Sequence, residues 1–509
     1  MELLTEARPW PEGGRPRRAA VSAFGISGTN AHVILEQAVE PAPVEPSRRE
    51  LPVVPWVLSA DSDRALRAQA ERLLTHVRDH VDQDAADLGL SLATGRAALA
   101  HRAVVLGAGR DELLRSLGGL AEGREEQGLV RGRADGARGR VAFVFPGQGA
   151  QWRGMALELL AESEVFRRRM RECAEAVEAH VDWKVLDVLR GVDGAPSLDA
   201  VEVVQPVSFA VVVSLAELWK SCGVEPAGVI GHSQGEIAAA CVAGALSLAD
   251  AARVVTLRSA ALRELAGSGA MASVALPVEQ AEKLLDGHRL SVAAVNGPSS
   301  TVVSGAVPDV EALLADCESR GVRARRIAVD YASHSAHVER IEDELVEVLA
   351  PISPRGGDVT LFSTVTGAEV DTREMDGGYW YQNLRRTVRF QEAVRAAVEA
   401  GFDTFVEVSP HPVVAQGIEE TVDAAGREVA VLTTLRRDDG GWERFLTSVA
   451  EAHVRGVAVD WRALFAGTGA ARVDLPTYAF QRQRYWLEDA EPTASRVQDP
   501  AEAGFWDAV

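Results

Sequence analysis

Ser233 is the best candidate nucleophile in this sequence, because it lies at the centre of the pentapeptide Gly231-His-Ser-Gln-Gly235. An apolar run ending in Val229-Ile230 precedes the pentapeptide, and an Ala-rich helical pattern from Glu236 to Ala245 follows it. This order predicts a strand, a sharp turn and a helix, with the serine hydroxyl exposed at the turn and the helix N-terminus facing any developing negative charge. Plain connecting turns also show this pattern, so its meaning depends on what the fold places beside Ser233.

His334 is the candidate general base. It closes the tetrapeptide Tyr331-Ala-Ser-His334, at the point where the chain leaves an expected inserted lobe and re-enters the main one. A neutral imidazole there could accept the Ser233 proton and return it to a leaving thiol. Taken alone, the residue is equally explained as an ordinary packed or loop histidine.

Arg258 is the candidate anion-binding group, on a helical pattern from Ala251 to Leu265. A guanidinium holds a carboxylate through two parallel hydrogen bonds, which few other side chains do as well. A surface salt bridge is the alternative explanation.

The elements around these residues predict an α/β fold. Val141–Phe145 is a buried-strand pattern that runs into the glycine-flanked Gln148, and its alternation with helices predicts a large parallel-sheet lobe. Residues 270–328 show the order strand, helix, strand, strand, helix, strand, which predicts an inserted ferredoxin-like βαββαβ lobe. A small α/β unit is expected between residues 51 and 140, and the chain after about Thr434 looks less regular.

Composition narrows the class of protein. The 509 residues carry a formal net charge of −21, which opposes non-specific binding to nucleic acid. No segment approaches the length of a membrane span and the N-terminus lacks a secretory pattern, so we expect no membrane association and a cytoplasmic location. The four cysteines are widely spaced, which favours buried free thiols over a disulfide framework or a metal site.

Six ordered blocks make residues 141–435 similar to the acyltransferase domain of a modular type I polyketide synthase. They are Val144-Phe-Pro-Gly-Gln-Gly-Ala-Gln-Trp152, Gly231-His-Ser-Gln-Gly-Glu236, Arg258-Ser-Ala260, Ala294-Val-Asn-Gly-Pro298, Tyr331-Ala-Ser-His334 and Asn383-Leu-Arg385. The resemblance implies a large lobe of residues 141–268 and 332–435, with the small lobe at 269–331.

The flanking regions resemble the neighbours of such a domain. Residues 1–37 are similar to the C-terminal end of a ketosynthase, without its catalytic cysteine motif, and residues 38–140 to the linker domain between ketosynthase and acyltransferase. Residues 436–488 are similar to the post-acyltransferase linker, and residues 489–509 to a tail leading to a ketoreductase region. The resemblance therefore implies neighbouring ketosynthase and ketoreductase domains, and an excised piece of a longer chain.

The resemblance assigns a role to each site residue. A Ser233–His334 dyad takes an acyl group from coenzyme A, and the backbone N–H groups of Gln148 and Gln234 form the oxyanion hole. A backbone carbonyl near Asn383 orients the histidine, and Arg258 pairs with the free carboxylate of a malonyl-type unit. The acyl group then passes to the phosphopantetheine thiol of an acyl carrier protein, with ping-pong kinetics and no cofactor or metal bound by the domain.

Three further residues bear on which acyl unit is selected. In the family, the Tyr331 and Ser333 pattern accompanies methylmalonyl units, whereas a His-Ala-Phe-His sequence accompanies malonyl. Gln205 ends a second marker, which departs from the family pattern at Ala200, where a polar residue is usual. A methyl group is worth only about 1–3 kcal/mol in a hydrophobic pocket, so malonyl and ethylmalonyl remain alternatives to methylmalonyl.

Two other classes of function remain open on sequence grounds. A serine thioesterase of the α/β-hydrolase type would share the Ser233 pentapeptide, but it would need an acidic residue between serine and histidine and would not need Arg258. A non-catalytic docking scaffold is the other alternative, and the presence of Ser233, His334 and Arg258 together argues against it.

Overall fold

The computed structural model describes residues 5, 6, 8–10, 13–38, 49–134, 136 and 138–483, which form two compact units. The first unit holds the described residues up to Arg49 together with Gly467–Gly469. It contains an antiparallel hairpin of β1 (Arg18–Phe24) and β2 (Asn30–Glu36). The expected ketoreductase-directed tail at 489–509 and the last part of the 436–488 segment lie outside the described residues.

The second unit begins with a small α/β layer. Its elements are β3 (Val54–Ala60), α1 (Asp63–Asp79), α2 (Ala85–Gly95), β4 (His101–Gly107), α3 (Arg110–Glu122) and β5 (Leu129–Arg133). The strands form an antiparallel sheet in the order β3-β4-β5. Ser62 caps α1, and the helix buries one apolar stripe that includes Leu66, Leu73 and Val77. This agrees with the α/β unit expected from the sequence.

The first part of the large lobe leads to the Ser233 turn. Its elements are β6 (Val141–Phe145), α4 (Leu157–Glu162), α5 (Glu164–Glu178), α6 (Val185–Arg190), α7 (Val201–Ser221), β7 (Gly228–Gly231), α8 (Gly235–Val242) and α9 (Leu248–Leu262). The parallel neighbours β6 and β7 are fully buried on both faces, as their continuous apolar sequences predict.

The remainder of the large lobe completes its sheet. Its elements are α12 (Glu342–Leu349), β12 (Thr360–Ser363), β13 (Ala368–Glu369), α13 (Gly377–Arg385), α14 (Phe390–Glu399), β14 (Thr404–Glu407), α15 (Ala415–Ala424) and β15 (Ala430–Thr433), with a 3₁₀ segment at Ala336–Ile341 before α12. The sheet order is β13-β12-β7-β6-β14-β15, and every neighbouring pair is parallel except β12 with β13. The predicted parallel-sheet lobe is therefore confirmed.

Helix α7 is more apolar than the sequence analysis allowed for. With 21 residues, the helix is long enough and apolar enough to cross a membrane, judged by length and composition alone. No segment was expected from the sequence to approach the length of a membrane span. However, 83% of the most apolar window of α7 is buried within the second unit. Trp219 near its end packs edge-on against Phe445 and donates its indole N–H to Thr434. It is packed as a core helix.

The inserted lobe has the ferredoxin-like order that the sequence predicts. Its elements are β8 (Ala270–Val274), α10 (Val278–Leu284), β9 (Leu290–Gly297), β10 (Ser300–Gly305), α11 (Val307–Ser319) and β11 (Ala324–Arg326). They form an antiparallel sheet in the order β11-β8-β10-β9. One face packs under its own helices, and the other contributes Met271, Ala294 and Val302 to the core around α14 and α15.

The two connections between the lobes pass side by side. A Cβ atom at Gly269 would lie 2.4 Å from the backbone nitrogen of Ala332, so a side chain there would displace the segment that carries Tyr331-Ala-Ser-His334. A second tie joins β9 to the large lobe, where Val388 exchanges backbone hydrogen bonds with Ala293 and Val295, each of 2.9 Å. The two lobes are therefore joined in two places, at Gly269 beside Ala332 and at Val388 beside β9.

The expectation of less regular structure after Thr434 holds only beyond Leu464, where residues 469–483 form neither helix nor strand. Helix α16 (Trp442–Val454) follows Thr434 at once, and the short α17 (Trp461–Leu464) comes after it. Helix α16 packs against β4 and β5, where a Cβ atom at Gly132 would meet the Val454 side chain at 2.9 Å. Because α16 also contacts α7 through Phe445, it joins the small α/β layer to the large lobe.

Candidate active site

The backbone around Ser233 is tightly bent, as the Gly-x-Ser-x-Gly pattern predicts. Ser233 has a φ of +53°, a left-handed conformation that costs a non-glycine residue about 1–3 kcal/mol. A Cβ atom at Gly231 would lie 2.1 Å from the Cα of Glu236, and one at Gly235 would lie 2.2 Å from the carbonyl oxygen of Phe145. Both glycines are thus required by close backbone packing, and the bend places Ser233 directly before α8.

Ser233 and His334 form a hydrogen-bonded pair, with 2.8 Å between Oγ and Nε2. His334 also has a left-handed backbone, at φ +57°, and its backbone N–H donates to the carbonyl of Leu384. Its Nδ1 lies 2.8 Å from the carbonyl oxygen of Arg386. Since a carbonyl only accepts, the proton is on Nδ1, and Nε2 is free to accept the Ser233 proton.

The residue expected to orient the histidine differs from the one observed. The sequence placed this carbonyl near Asn383, whereas it belongs to Arg386, just beyond the end of α13. Asn383 lies within that helix, so its own carbonyl is directed along the helix and its buried side chain serves Arg258 and Ser233 instead. A backbone carbonyl has no side-chain signature, so only the coordinates could identify it.

Burial makes it unfavourable for His334 to take up a proton from solvent and become charged. Burial, followed by the positive charge of Arg258, lowers its pKa from 6.5 to about 3, against a smaller opposing effect of the Arg386 carbonyl. A base must be unprotonated to act, and a lowered pKa keeps it unprotonated down to acidic pH.

We therefore expect a reaction that begins with proton transfer from Ser233 to His334 to show no histidine-type loss of rate between about pH 8 and pH 5. The measurement is kcat/KM for formation of a covalent adduct on Ser233, by rapid quench across this range. Glu407 is a second buried group that titrates in this range, because burial raises its pKa to about 7. Repeating the pH profile with Glu407→Gln removes its contribution. A loss of rate with a midpoint near pH 6.5 that persists in this variant would contradict the expectation.

Arg258 is 1% exposed, and its hydrogen-bond partners among the described residues are neutral. Its Nη1 donates to Oε1 of Gln205 and its Nη2 to Oδ1 of Asn383, both at 3.1 Å. Its Nε has no hydrogen-bond partner, and burial lowers its pKa to about 10. Asn383 in turn donates to the carbonyl oxygen of Ser233 at 3.3 Å, which connects the guanidinium to the nucleophile turn.

The backbone N–H groups of Gln148 and Gln234 are available for an oxyanion. Within the described part of the chain neither makes a hydrogen bond to the protein. Gln234 is the residue before α8, and Gln148 lies in the turn after β6, beside β7. Two free donors at the ends of neighbouring strands fit the stabilisation of a tetrahedral oxyanion.

Of the side chains expected to govern acyl selection, Tyr331 and Gln205 are bonded to residues of this site, whereas the Ser333 hydroxyl faces the small lobe. The Tyr331 hydroxyl donates to Oε1 of Gln148 at 2.8 Å, and the buried Ser333 hydroxyl lies 3.4 Å from the sulfur of Met271. Gln205, Gln234 and Phe209 line a narrow pocket between α7 and the Ser233 turn. Gln205 is joined to the site through its hydrogen bond from Arg258.

Sequence reasoning did not identify a buried polar cluster beneath Ser233. Glu236 is fully buried in the first turn of α8 and contacts Thr364, Tyr379 and Asn383. Its position in the Gly231–Glu236 block was a signal, because a carboxylate inside an Ala-rich buried helix needs partners. His232, next to the nucleophile, hydrogen-bonds Asn296 of β9 at 2.8 Å and ties the turn to the small lobe.

Known proteins resemble this chain along its whole length. The family described as acyl transferase domain matches residues 142–459, and the ketoacyl-synthetase C-terminal extension matches residues 1–106. Polyketide synthase GfsA of Streptomyces halstedii is 57% identical over 100% of this chain and 7% of its own length. Erythronolide synthase EryA3 of Saccharopolyspora erythraea is 52% identical over 98% of this chain and 16% of its own length.

A solved structure agrees with these matches. The acyltransferase domain from module 8 of the salinomycin polyketide synthase is 51% identical, with a TM-score of 0.79 over 81% of this chain and 98% of that one. The chain thus spans a small part of the curated relatives and nearly all of this domain. It belongs to the acyl transferase domain family, in the form carried by modular polyketide synthases.

Proposed function

We propose that this domain transfers a dicarboxylic acyl unit, methylmalonyl first among the candidates, from coenzyme A to Ser233 and then to the phosphopantetheine thiol of an acyl carrier protein. The observation that carries the proposal is the meeting of three groups. His334 is hydrogen-bonded to the Ser233 hydroxyl, and Arg258 is joined to the Ser233 carbonyl through the single amide of Asn383. A nucleophile, a base and a cation suited to a carboxylate are thus linked by hydrogen bonds.

In the first half-reaction, Oγ of Ser233 attacks the thioester carbonyl while Nε2 of His334 takes its proton. The N–H groups of Gln148 and Gln234 receive the negative charge on the carbonyl oxygen. The C–S bond then breaks, and the imidazolium returns its proton to the departing coenzyme A thiolate. The product is an acyl ester on Ser233, with His334 neutral again.

In the second half-reaction, the carrier-protein thiol gives its proton to His334 and its sulfur attacks the ester carbonyl. The same oxyanion contacts form, the C–O bond breaks, and Ser233 recovers its proton. The buried Arg258 supports a dicarboxylic unit, because a neutral acyl group would leave the guanidinium without a charged partner.

Residues Tyr331 and Ser333 support the methylmalonyl assignment. A phenylalanine at 333 would fill space beside the substrate α-carbon, and a histidine at 331 would lose the phenol that contacts Gln148. We expect the double variant Tyr331→His, Ser333→Phe to raise the malonyl to methylmalonyl ratio by about 10-fold or more, since one methyl group is worth about 1–3 kcal/mol. Competition between the two acyl-CoAs, read by intact mass, measures the ratio, and an unchanged value would remove this segment from selection.

Hydrolysis by a serine thioesterase is the competing function. Against it, Nδ1 of His334 faces the Arg386 carbonyl rather than the carboxylate that an α/β-hydrolase triad places there. Acylated protein should therefore pass its acyl group to a carrier protein much faster than to water. Chasing radiolabelled acyl-enzyme with and without carrier protein tests this, and faster release of free acid than of acyl-carrier product would favour the hydrolase.

The partners and location proposed here follow from this chemistry. We propose an acyl carrier protein as acceptor and neighbouring ketosynthase and ketoreductase domains, supported for the ketosynthase by exposed Phe24, Ile26 and Ile34 on the first unit's hairpin. A cytoplasmic location is supported by the four free cysteines.

A further inference from the structure

Glu236 is a fully buried carboxylate that the reaction steps do not use. It lies three residues after Ser233, and hydrogen-bond donors converge on both of its oxygens. Oε2 accepts from the Asn383 amide at 3.2 Å and lies 2.8 Å from the Thr364 hydroxyl and 3.2 Å from the Thr364 backbone nitrogen. Oε1 accepts from the Tyr379 hydroxyl.

The orientation of the Asn383 amide depends on this carboxylate. Its Nδ2 donates to Oε2 of Glu236 and, at 3.3 Å, to the carbonyl oxygen of Ser233, so its Oδ1 faces Arg258. Turning the amide over would place Nδ2 against the guanidinium and Oδ1 against a carboxylate and a carbonyl. All three contacts would then be repulsive, because none would pair a donor with an acceptor.

Glu236 also lies near enough to Arg258 to affect its pKa, although it makes no hydrogen bond to it among the described residues. The hydrogen-bond partners of Arg258 are two neutral amides, and the Glu236 charge opposes the lowering of its pKa by burial. Burial likewise raises the pKa of Glu236, while the hydrogen bonds from Tyr379 and Thr364 oppose that rise. A single amide, that of Asn383, lies between these two buried groups and bonds to both.

We propose that Glu236 is a positioning residue for acyl selection, which fixes the Asn383 amide so that Arg258 presents its free hydrogen-bond donors to the carboxylate of the incoming acyl group. The proposal rests on the proposed role of Arg258. It implies that preference for a carboxylated acyl unit depends on a side chain that never touches the substrate. A merely structural role would instead affect charged and neutral acyl groups alike.

The test compares methylmalonyl-CoA with isobutyryl-CoA, in which a methyl group replaces the free carboxylate. The measured quantity is the ratio of their kcat/KM values for acyl-enzyme formation on this whole chain. Glu236→Gln should lower the ratio by about 10-fold or more, the range expected for loss of a hydrogen bond to a charged group. The kcat/KM for isobutyryl-CoA should change by less than about 3-fold, because this substrate lacks the carboxylate whose binding Glu236 affects.

Tyr379→Phe is the matched control, because it removes the donor from Oε1 and leaves the Asn383 contact on Oε2. It should keep the ratio. Asn383→Leu removes the amide itself and should lower the ratio as Glu236→Gln does, which also tests the proposal if Glu236→Gln does not fold. The double variant should show no further loss, because the two residues act through one contact.

Equal loss of both rates in Glu236→Gln, or a ratio unchanged in both Glu236→Gln and Asn383→Leu, would overturn the proposal. Failure of the proposed function is a different result, since the unaltered protein would then show no preference for methylmalonyl-CoA. If Arg258→Ala abolishes the preference while Glu236→Gln and Asn383→Leu keep it, only the inference about Glu236 is wrong.

Discussion

His334→Ala is expected to slow acylation of Ser233 by about 10²–10⁴-fold, the usual contribution of a positioned general base. The physical reason is the 2.8 Å hydrogen bond from the Ser233 hydroxyl to Nε2, which no other described side chain makes. Without it, the hydroxyl has to lose its proton to water at the moment of attack. Single-turnover acylation with methylmalonyl-CoA measures the effect.

His337→Ala is the control, since His337 lies one 3₁₀ turn further along the same segment and does not contact Ser233. This variant should acylate at the unaltered rate. A folded His334→Ala protein that acylates within about 3-fold of the original rate would show that another base serves Ser233, because general-base catalysis contributes far more than that.

Arg258→Ala is expected to remove the preference for dicarboxylic acyl units, lowering the methylmalonyl to isobutyryl ratio by about 10²-fold. The guanidinium is 1% exposed and is held by the two amides of Gln205 and Asn383. Its removal leaves an incoming carboxylate buried without a cation, while a neutral acyl group loses little. Acyl-enzyme formation from each acyl-CoA measures the ratio.

Arg253→Ala, on the same helix α9 but only partly buried, is the matched control and should keep the ratio. Arg258→Lys keeps the charge but loses the planar fork, so we expect an intermediate ratio. An Arg258→Ala protein that still prefers methylmalonyl-CoA would contradict the assignment of this arginine to the substrate carboxylate.

Local sequence patterns predicted the parts of the fold that depend on local chemistry. The Ser233 turn was predictable because close backbone packing requires Gly231 and Gly235. The inserted lobe was predictable because its strands and helices alternate with clear apolar patterns, and the order β11-β8-β10-β9 follows for a βαββαβ unit.

Features that depend on tertiary packing were harder to predict. Helix α16 was missed because its apolar residues, including Phe445 and Val454, are explained only by the two surfaces that it joins. The Arg386 carbonyl carries no side-chain signal, and the sequence placed the histidine contact three residues too early. Glu236 stood inside a recognised motif, yet its partners Thr364 and Asn383 come from distant segments.

Every step proposed here requires that Ser233 carries a carboxylated acyl group. Intact-mass analysis of the protein after mixing with malonyl-, methylmalonyl-, ethylmalonyl- and acetyl-CoA, followed by peptide mapping of the adduct, measures this directly. We predict one acyl group per chain, from methylmalonyl-CoA in preference to the others, located on Ser233 and absent in Ser233→Ala. A folded protein that gains no mass from any acyl-CoA, or an adduct that persists in Ser233→Ala, would contradict the account.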